Sequence, residues 1–265
     1  MYDDNDYLTL LEKTLTFSMW PEPPRPVTVI GRKNLIRVKI ARVADRFFQM
    51  FDLRLCADLP ISMQEREDGA RNWTWMAHTL VSRKRLRNVR ALCNQVVADN
   101  IPGNFVECGV WRGGASMYAR ACLPTDRKVI MCDSFEGLPY DPAEPEYFMF
   151  DHLKVSKEEV LQNFKNYGLD RNLEFVKGYF CDSLKNLKTP IAILRADGDM
   201  YSSTMDILEN LYSQVSSGGY VIIDDYGLEP CARAVKEFLS RQNHKVEFVA
   251  IDEHAMYWKK PDLGR

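Results

Sequence analysis

Two short apolar runs, each ending in carboxylates, constrain this chain more than any other feature. Ile191-Ala192-Ile193-Leu194 has the β-branched pattern of a parallel strand covered on both faces, and it runs into Arg195-Ala196-Asp197-Gly198-Asp199. After a helical stretch, Tyr220-Val221-Ile222-Ile223 repeats the arrangement and ends in Asp224-Asp225-Tyr226-Gly227. If these strands are neighbours, four carboxylates meet at one sheet edge. In an open α/β sheet, ligands bind outside that edge. Unneutralised carboxylates so placed need solvent, protonation or a cation. Oxygen-only donors without His or Cys suit Mg²⁺ or a similar hard ion better than zinc or copper. A lone Asp after a strand is more often a loop residue or a helix cap; two such motifs at equivalent strand ends favour a site.

The 265 residues, 46% of them hydrophobic, suffice for one large domain with an accessory segment or for two modest domains. Lys plus Arg total 35 against 37 for Asp plus Glu, a balance that leaves no electrostatic footprint for nucleic acid. The cysteines, Cys56, Cys93, Cys108, Cys122, Cys132, Cys181 and Cys231, lack C-x-x-C spacing and read as reduced core residues of an intracellular protein. The first residues are acidic where a signal peptide would be basic, and no apolar run approaches bilayer length. The expectation is a soluble, cytoplasmic protein with neither a nucleic-acid nor a membrane partner.

From the start of the chain, Leu8, Leu11, Leu15 and Met19 predict a helix over Tyr7–Met19, stopped by Pro21, Pro23, Pro24 and Pro26. A second helix is predicted within Leu35–Leu53, with Arg37, Lys39, Arg42 and Arg46 forming a solvated basic face. Glu65–Ala77 has poor periodicity and two tryptophans; it reads as a loop over a pocket or as a packed connection. Leu86, Val89, Leu92, Val96 and Val97 mark a helix over Ser82–Val97. Asn104–Cys108 is then a first strand, followed by Gly109-Val110-Trp111-Arg112-Gly113-Gly114 and a helix starting near Ser116. That layout lets backbone approach a nucleotide-like ligand, although the spacing matches neither G-x-G-x-x-G nor the P-loop.

Lys128–Cys132 is the second strand, and Asp133 at its end suits a ribose hydroxyl pair, with a turn cap as the alternative. Tyr140–Phe150 reads as a loop, and Ser156 with Glu159 forms a capping box for a helix reaching Tyr167. Leu173–Lys177 is the third strand, with Asp182 after it. Ser202 or Ser203 can cap a helix through Val215, Cys231–Arg241 makes another, and Lys245–Ile251 with Ala255–Trp258 forms a hairpin. The fold class is α/β: a mostly parallel seven-stranded sheet with a C-terminal antiparallel hairpin, preceded by helices. Residues 1–98 form an N-terminal helical cap and lid segment, and 99–265 the core.

The series Glu107–Gly114, Asp133-Ser134-Phe135-Glu136-Gly137-Leu138-Pro139, Gly178-Tyr179-Phe180-Cys181-Asp182, Asp197-Gly198-Asp199-Met200-Tyr201-Ser202 and Asp224-Asp225-Tyr226-Gly227 resembles the macrocin O-methyltransferase family. These enzymes methylate sugar hydroxyls of macrolide and aminocoumarin antibiotics. The resemblance extends through Tyr7–Pro24 and Ala77–Val81 with Arg85-Leu86-Arg87-Asn88, and covers nearly the whole chain. It implies a Rossmann-like methyltransferase fold, S-adenosylmethionine as methyl donor and a required Mg²⁺. By matching position, Asp197, Asp224 and Asp225 would be the metal ligands and Asp199 the general base. Glu107, Gly109, Val110 and Trp111 would line the methionine part of the donor, Asp133 the ribose, and Ser134, Phe135 and Asp182 the adenine end. Thr79 and Leu80 would contact it from the cap. Arg195 stands where the resemblance leads one to expect histidine, and Arg87 where an acidic residue is usual.

The physical reading runs parallel to the resemblance. A sugar alcohol is too weakly acidic to attack a sulfonium methyl unaided, and a divalent ion lowers the pKa of hydroxyls it binds. Asp199 is placed to take the proton, with a second-shell role or a helix cap as its alternative. The expected acceptor is a small-molecule glycoside; a catechol or other vicinal diol would serve the same metal logic, and a nonenzymatic S-adenosylmethionine-binding module is the rival from another class. The apolar N-terminal helices are compatible with a homo-oligomer such as a dimer.

Overall fold

The structure, a computed structural model, describes residues 4–29, 36–58, 61–68, 74–144 and 153–262. Its sheet contains β1 Asn104–Cys108, β2 Val129–Asp133, β3 Leu173–Lys177, β4 Ile191–Ala196, β5 Val215–Ile223, β6 Val249–Ala250 and β7 Met256–Lys259, in the order β3-β2-β1-β4-β5-β7-β6. The first five strands pair in parallel, and β7 returns antiparallel between β5 and β6. The expected seven-stranded, mostly parallel sheet with a terminal hairpin is what forms. The β6 arm is shorter than predicted, because Phe248, Val249 and Ala250 lie exposed at the sheet edge, where a short strand limits edge-to-edge pairing.

Described helices are α1 Asp4–Leu15, α2 Ile36–Phe48, α3 Met63–Asp68, α4 Arg83–Ala98, α5 Gly114–Cys122, α6 Lys157–Asn166, α7 Phe180–Ser183, α8 Tyr201–Leu211 and α9 Glu229–Ser240. Alternating strand residues feed two cores. Phe105, Met131, Ile193 and Ile222 pack against α1, α4, α5 and α6, whereas Val106, Ile130, Leu194 and Ile223 pack against α8 and α9. The sheet is thus buried on both faces, which is why its central strands read as continuous apolar runs. Among the cysteines, Cys93, Cys108, Cys132 and Cys231 are buried and Cys122 partly so; Cys56 and Cys181 are exposed, contrary to a uniform core assignment.

Local chemistry explains most boundaries and the departures from expectation. Ser82 and Ser156 cap α4 and α6 by accepting from Arg85 N and Glu159 N. The first helix ends at Leu15, before its prolines, where Phe17 turns left-handed and Ser18 N–H closes on Lys13 O. Part of the predicted 65–77 loop is instead helix α3, started by a capping box in which Ser62 and Glu65 exchange side-chain-to-backbone bonds of 3.1 and 2.7 Å. Trp73 lies outside the described residues, as do 145–150 of the predicted Tyr140–Phe150 loop. Neither Ser202 nor Ser203 caps α8: both lie inside it, and the buried Glu144 accepts from Tyr201 N at 3.0 Å in their place.

On α2 the expected basic residues Arg37, Lys39 and Arg46 are exposed, but Ile36, Ile40, Val43 and Phe47 are more than half exposed between them, while Val38 and Asp45 face the protein. Among the described residues no helix is long and apolar enough to cross a membrane.

The N-terminal segment is seated on the sheet by α5. Gly114 N donates to His78 O at 2.9 Å, and Arg112 reaches Trp75 O and Ala77 O at 2.7 and 2.9 Å. A Cβ on Gly114 would stand 2.4 Å from His78 O and 2.6 Å from Thr79 Cβ. Gly114→Ala is expected to lower stability by about 1–3 kcal/mol, the range for overpacking. Thermal unfolding measures this, and an unchanged midpoint would contradict the close seating of the cap.

Candidate active site

Strand register builds the site. Cys108 pairs with Cys132 on one side and Ala196 on the other, and Ala196 pairs with Ile223. The residues that follow therefore leave the sheet at one level, with Gly109 N, Asp197 N and Asp224 N donating to Cys132 O, Cys108 O and Ala196 O at 2.9–3.0 Å. Gly109 has φ +89°, and a Cβ there would lie 2.0 Å from Asp197 O, so only glycine lets these chains approach. Trp111, Phe135 and Asp199 also adopt positive φ (48°, 56° and 54°), a cost concentrated at three strand ends around one cavity.

That cavity, about 430 Å³, lies over the strand ends, inside the usual size range of small-molecule sites. Gly109, Val110, Trp111, Asp133 and Ser134 line it, as do Asp197, Asp199, Asp224 and Asp225, with Leu80 from the cap. Other expected residues lie elsewhere. Thr79 is buried against Gly114, its Oγ1 accepting from Val81 N. Phe135 turns its ring into the core against Phe175, 6.0 Å between centroids. Glu107 lies buried beneath the cavity floor. Asp182 points outward, its side chain 82% exposed and paired with Lys185, whereas its neighbours Phe180 and Cys181 line the wall.

Asp133 accepts from Val110 N and Phe135 N, each at 2.7 Å, so one carboxylate organises both its own turn and the glycine turn. Burial raises its pKa, and the backbone donors only partly offset that.

The acidic edge is not unneutralised. Arg195, 2% exposed, lies 2.6 Å from Glu107, 2.9 Å from Asp197 and 2.7 Å from Asp224. Arg85 of α4 grips Asp224 at 2.6 Å and Asp252 of the hairpin turn in a fork of 2.6 and 3.1 Å. Although burial alone would raise it, these two guanidiniums hold Asp224 below the ordinary carboxylate range. Sequence reasoning passed over Arg85. The available signal was its position at i−4, i−7 and i−11 from the buried Val89, Leu92 and Val96, a core-facing place for a charge.

Two guanidiniums cannot balance the six carboxylates of Glu107, Asp197, Asp199, Asp224, Asp225 and Asp252. Donor atoms of Asp197, Asp199 and Asp225 gather within 4.8 Å of one another, a group able to hold a metal ion, while Asp224 stands apart in its arginine fork. Burial and then the neighbouring Asp197 push Asp199 up to about 7; burial and Asp199 push Asp225 well above the usual range; burial raises Asp197 against the pull of Arg195. Three crowded carboxylates without nitrogen or sulfur donors fit a hard divalent ion.

Comparison with known proteins fits this geometry. The model of the macrocin O-methyltransferase family, TylF, matches residues 4–260. The chain belongs to the macrocin O-methyltransferase family. Over 213 residues it is 42% identical to demethyldecarbamoylnovobiocin O-methyltransferase of Streptomyces niveus, covering 74% of this chain and 81% of that one. It is 41% identical over 203 residues to a rhamnosyl-tetracenomycin-C 4'-O-methyltransferase of Streptomyces olivaceus, with 71% and 78% covered. The solved O-methyltransferase NovP superimposes with a TM-score of 0.80 at 34% identity over 98% of this chain and all of that one. Family membership makes the chain an O-methyltransferase with the corresponding S-adenosylmethionine-dependent fold.

The raised carboxylates set a pH dependence. A group whose folded pKa lies above its unfolded value stabilises at low pH, and that contribution is lost as pH rises through the folded value. Asp199 and Glu107, both pushed up to about 7 chiefly by burial, make the ion-free protein lose stability as pH rises from ordinary carboxylate values to neutrality. Thermal midpoints without divalent ions should fall across that window, less steeply in Asp199→Asn. A midpoint that rises with pH in the wild type would contradict the crowding.

Proposed function

We propose that this chain transfers the methyl group of S-adenosylmethionine to a sugar hydroxyl of a glycosylated natural product, with Mg²⁺ at the aspartate cluster. The observation that carries the reading is the gathering of Asp197, Asp199 and Asp225 on the wall of the cavity that Asp133 also lines. The relatives support the acceptor class, since the Streptomyces olivaceus enzyme's name specifies a rhamnosyl group and another relative is a mycinamicin III 3''-O-methyltransferase.

The glycine turn and Asp133 receive the donor, the backbone of Val110 and Trp111 lying beside the carboxylate that accepts ribose hydroxyls. Phe180 and Cys181, which line the wall next to the outward-pointing Asp182, take the adenine end. Bound S-adenosylmethionine supplies an electrophilic sulfonium methyl. Asp197 and Asp225 would hold the ion, while Asp224 is engaged by Arg85 and Arg195. The ion, when bound, lowers the pKa of vicinal sugar hydroxyls. Asp199, which lines the cavity beside Asp197 and Asp225, accepts the proton from the attacking hydroxyl. Leu80, Val81 and Trp111 give the cavity an apolar wall that limits competing water.

The test is a panel of deoxysugar glycosides and catechols with S-adenosylmethionine and Mg²⁺, read by mass spectrometry. One added CH₂ on a glycoside supports the proposal; methylation confined to catechols, or donor binding without turnover on any acceptor, contradicts it. Asp197→Asn should abolish Mg²⁺-dependent turnover and the Mg²⁺-induced rise in thermal midpoint while leaving donor affinity nearly intact. Asp133→Ala should weaken donor binding with little effect on that rise, and unchanged calorimetric affinity for S-adenosylmethionine would remove its ribose role.

A further inference from the structure

Ile36, Ile40, Val43 and Phe47 fall at i, i+4, i+7 and i+11, one line along α2, and Met50 and Phe51 prolong it through the next turn. Their exposures run from 58% for Phe47 to 77% for Met50. The opposite side of the helix, at Val38 and Asp45, rests on the protein, so the apolar line faces away from it. A soluble monomer rarely leaves such a stripe bare.

Charge identifies what suits it. Arg37, Lys39 and Arg46 stand exposed along the flanks of the stripe. The acidic residue of α2, Asp45, is 1% exposed and turned inward, accepting from Leu55 N at 2.6 Å and Gln49 Nε2 at 2.5 Å. The outer face of α2 is therefore apolar in the middle, cationic on its margins and without a carboxylate. At its far end Phe47 meets Phe48 and Phe51 edge to face, at 5.9 and 5.5 Å, a compact aromatic knob. Two-fold pairing of α2 on α2 would bring the cationic margins of both copies together with no acid of α2 between them, the exposed Asp52 lying beyond Phe51 at one end.

We propose that this face lays α2 flat on an anionic phospholipid surface, its apolar line entering the boundary between headgroups and acyl chains while Arg37, Lys39 and Arg46 meet lipid phosphates. The helix then works as an interfacial anchor, a different thing from a membrane span. The reading is independent of the methyl-transfer chemistry.

The full chain is sedimented with vesicles of phosphatidylcholine alone and of phosphatidylcholine with phosphatidylglycerol in equal parts. Binding is expected to the mixed vesicles only and to weaken as salt rises. The double variant Ile40→Ser, Phe47→Ser should lose it. Lys39→Gln with Arg46→Gln should weaken it roughly thirtyfold, the loss two basic residues near an anionic surface account for. Because all four side chains are exposed, thermal midpoints should match the wild type. The proposal is overturned if the wild type ignores mixed vesicles at low salt or if the variants bind as the wild type does. It is equally overturned if the wild type is a dimer that Ile40→Ser, Phe47→Ser disperses, which assigns the face to a second copy. Binding to polyglutamate as tight as to vesicles assigns it to an acidic polypeptide.

Discussion

A buried guanidinium organises the chemistry of this protein. Arg195 and Glu107 are register partners on adjacent parallel strands, both pointing to the face that carries α4 and α5. Burying either charge alone would cost several kcal/mol, so each requires the other. The pair carries a consequence beyond itself, since Arg195 also draws Asp197 and Asp224 toward the sheet while Ser116 of α5 donates to Glu107. The strand-end carboxylates are thereby sorted. Asp224 is committed to arginines, and Asp197, Asp199 and Asp225 are left crowded beside the cavity with more negative charge than the protein itself balances.

The N-terminal segment completes this electrostatic frame and is not merely a cover. Arg85 projects from α4 to Asp224 and Asp252, tying the cap to the fifth strand end and to the hairpin turn. Arg87, half exposed, joins Glu12 and Glu67 and so links α4 to α1 and α3. Arg112 in the glycine turn holds the carbonyls of Trp75 and Ala77. Cap and sheet share one hydrophobic core, with Leu11, Leu15, Leu86 and Val89 packed alongside Phe105 and Met131. Arg85 thus makes the position of α4 and the charge state of Asp224 depend on each other.

Much of this was legible in the sequence. Strands such as Asn104–Cys108 and Leu173–Lys177 coincide with their predicted limits, because each is a short run around apolar residues that a glycine, Gly109 or Gly178, closes. The capping box at Ser156 marked a helix start equally well, and the helix expected from Ser82 begins just after it, with Ser82 as its cap. What escaped were relations between distant residues. Spacing to Val89, Leu92 and Val96 turns Arg85 toward the core, but its partner is not local: only the folded chain puts it beside Asp224. Asp182 looked like its counterparts at other strand ends, but the short helix α7 rotates it outward. On α2 the solvated basic residues were legible, whereas the exposure of Ile36, Ile40, Val43 and Phe47 and the burial of Asp45 were not.

The central claim is that the arginines sort the acidic edge so that a divalent ion binds among Asp197, Asp199 and Asp225. Anomalous diffraction from crystals grown with Mn²⁺ tests it most directly. The account predicts one strong peak within coordinating distance of Asp197 and Asp225, with Arg195 still paired to Glu107. A map with no peak at these strand ends, or with the ion held elsewhere on the chain, would contradict it.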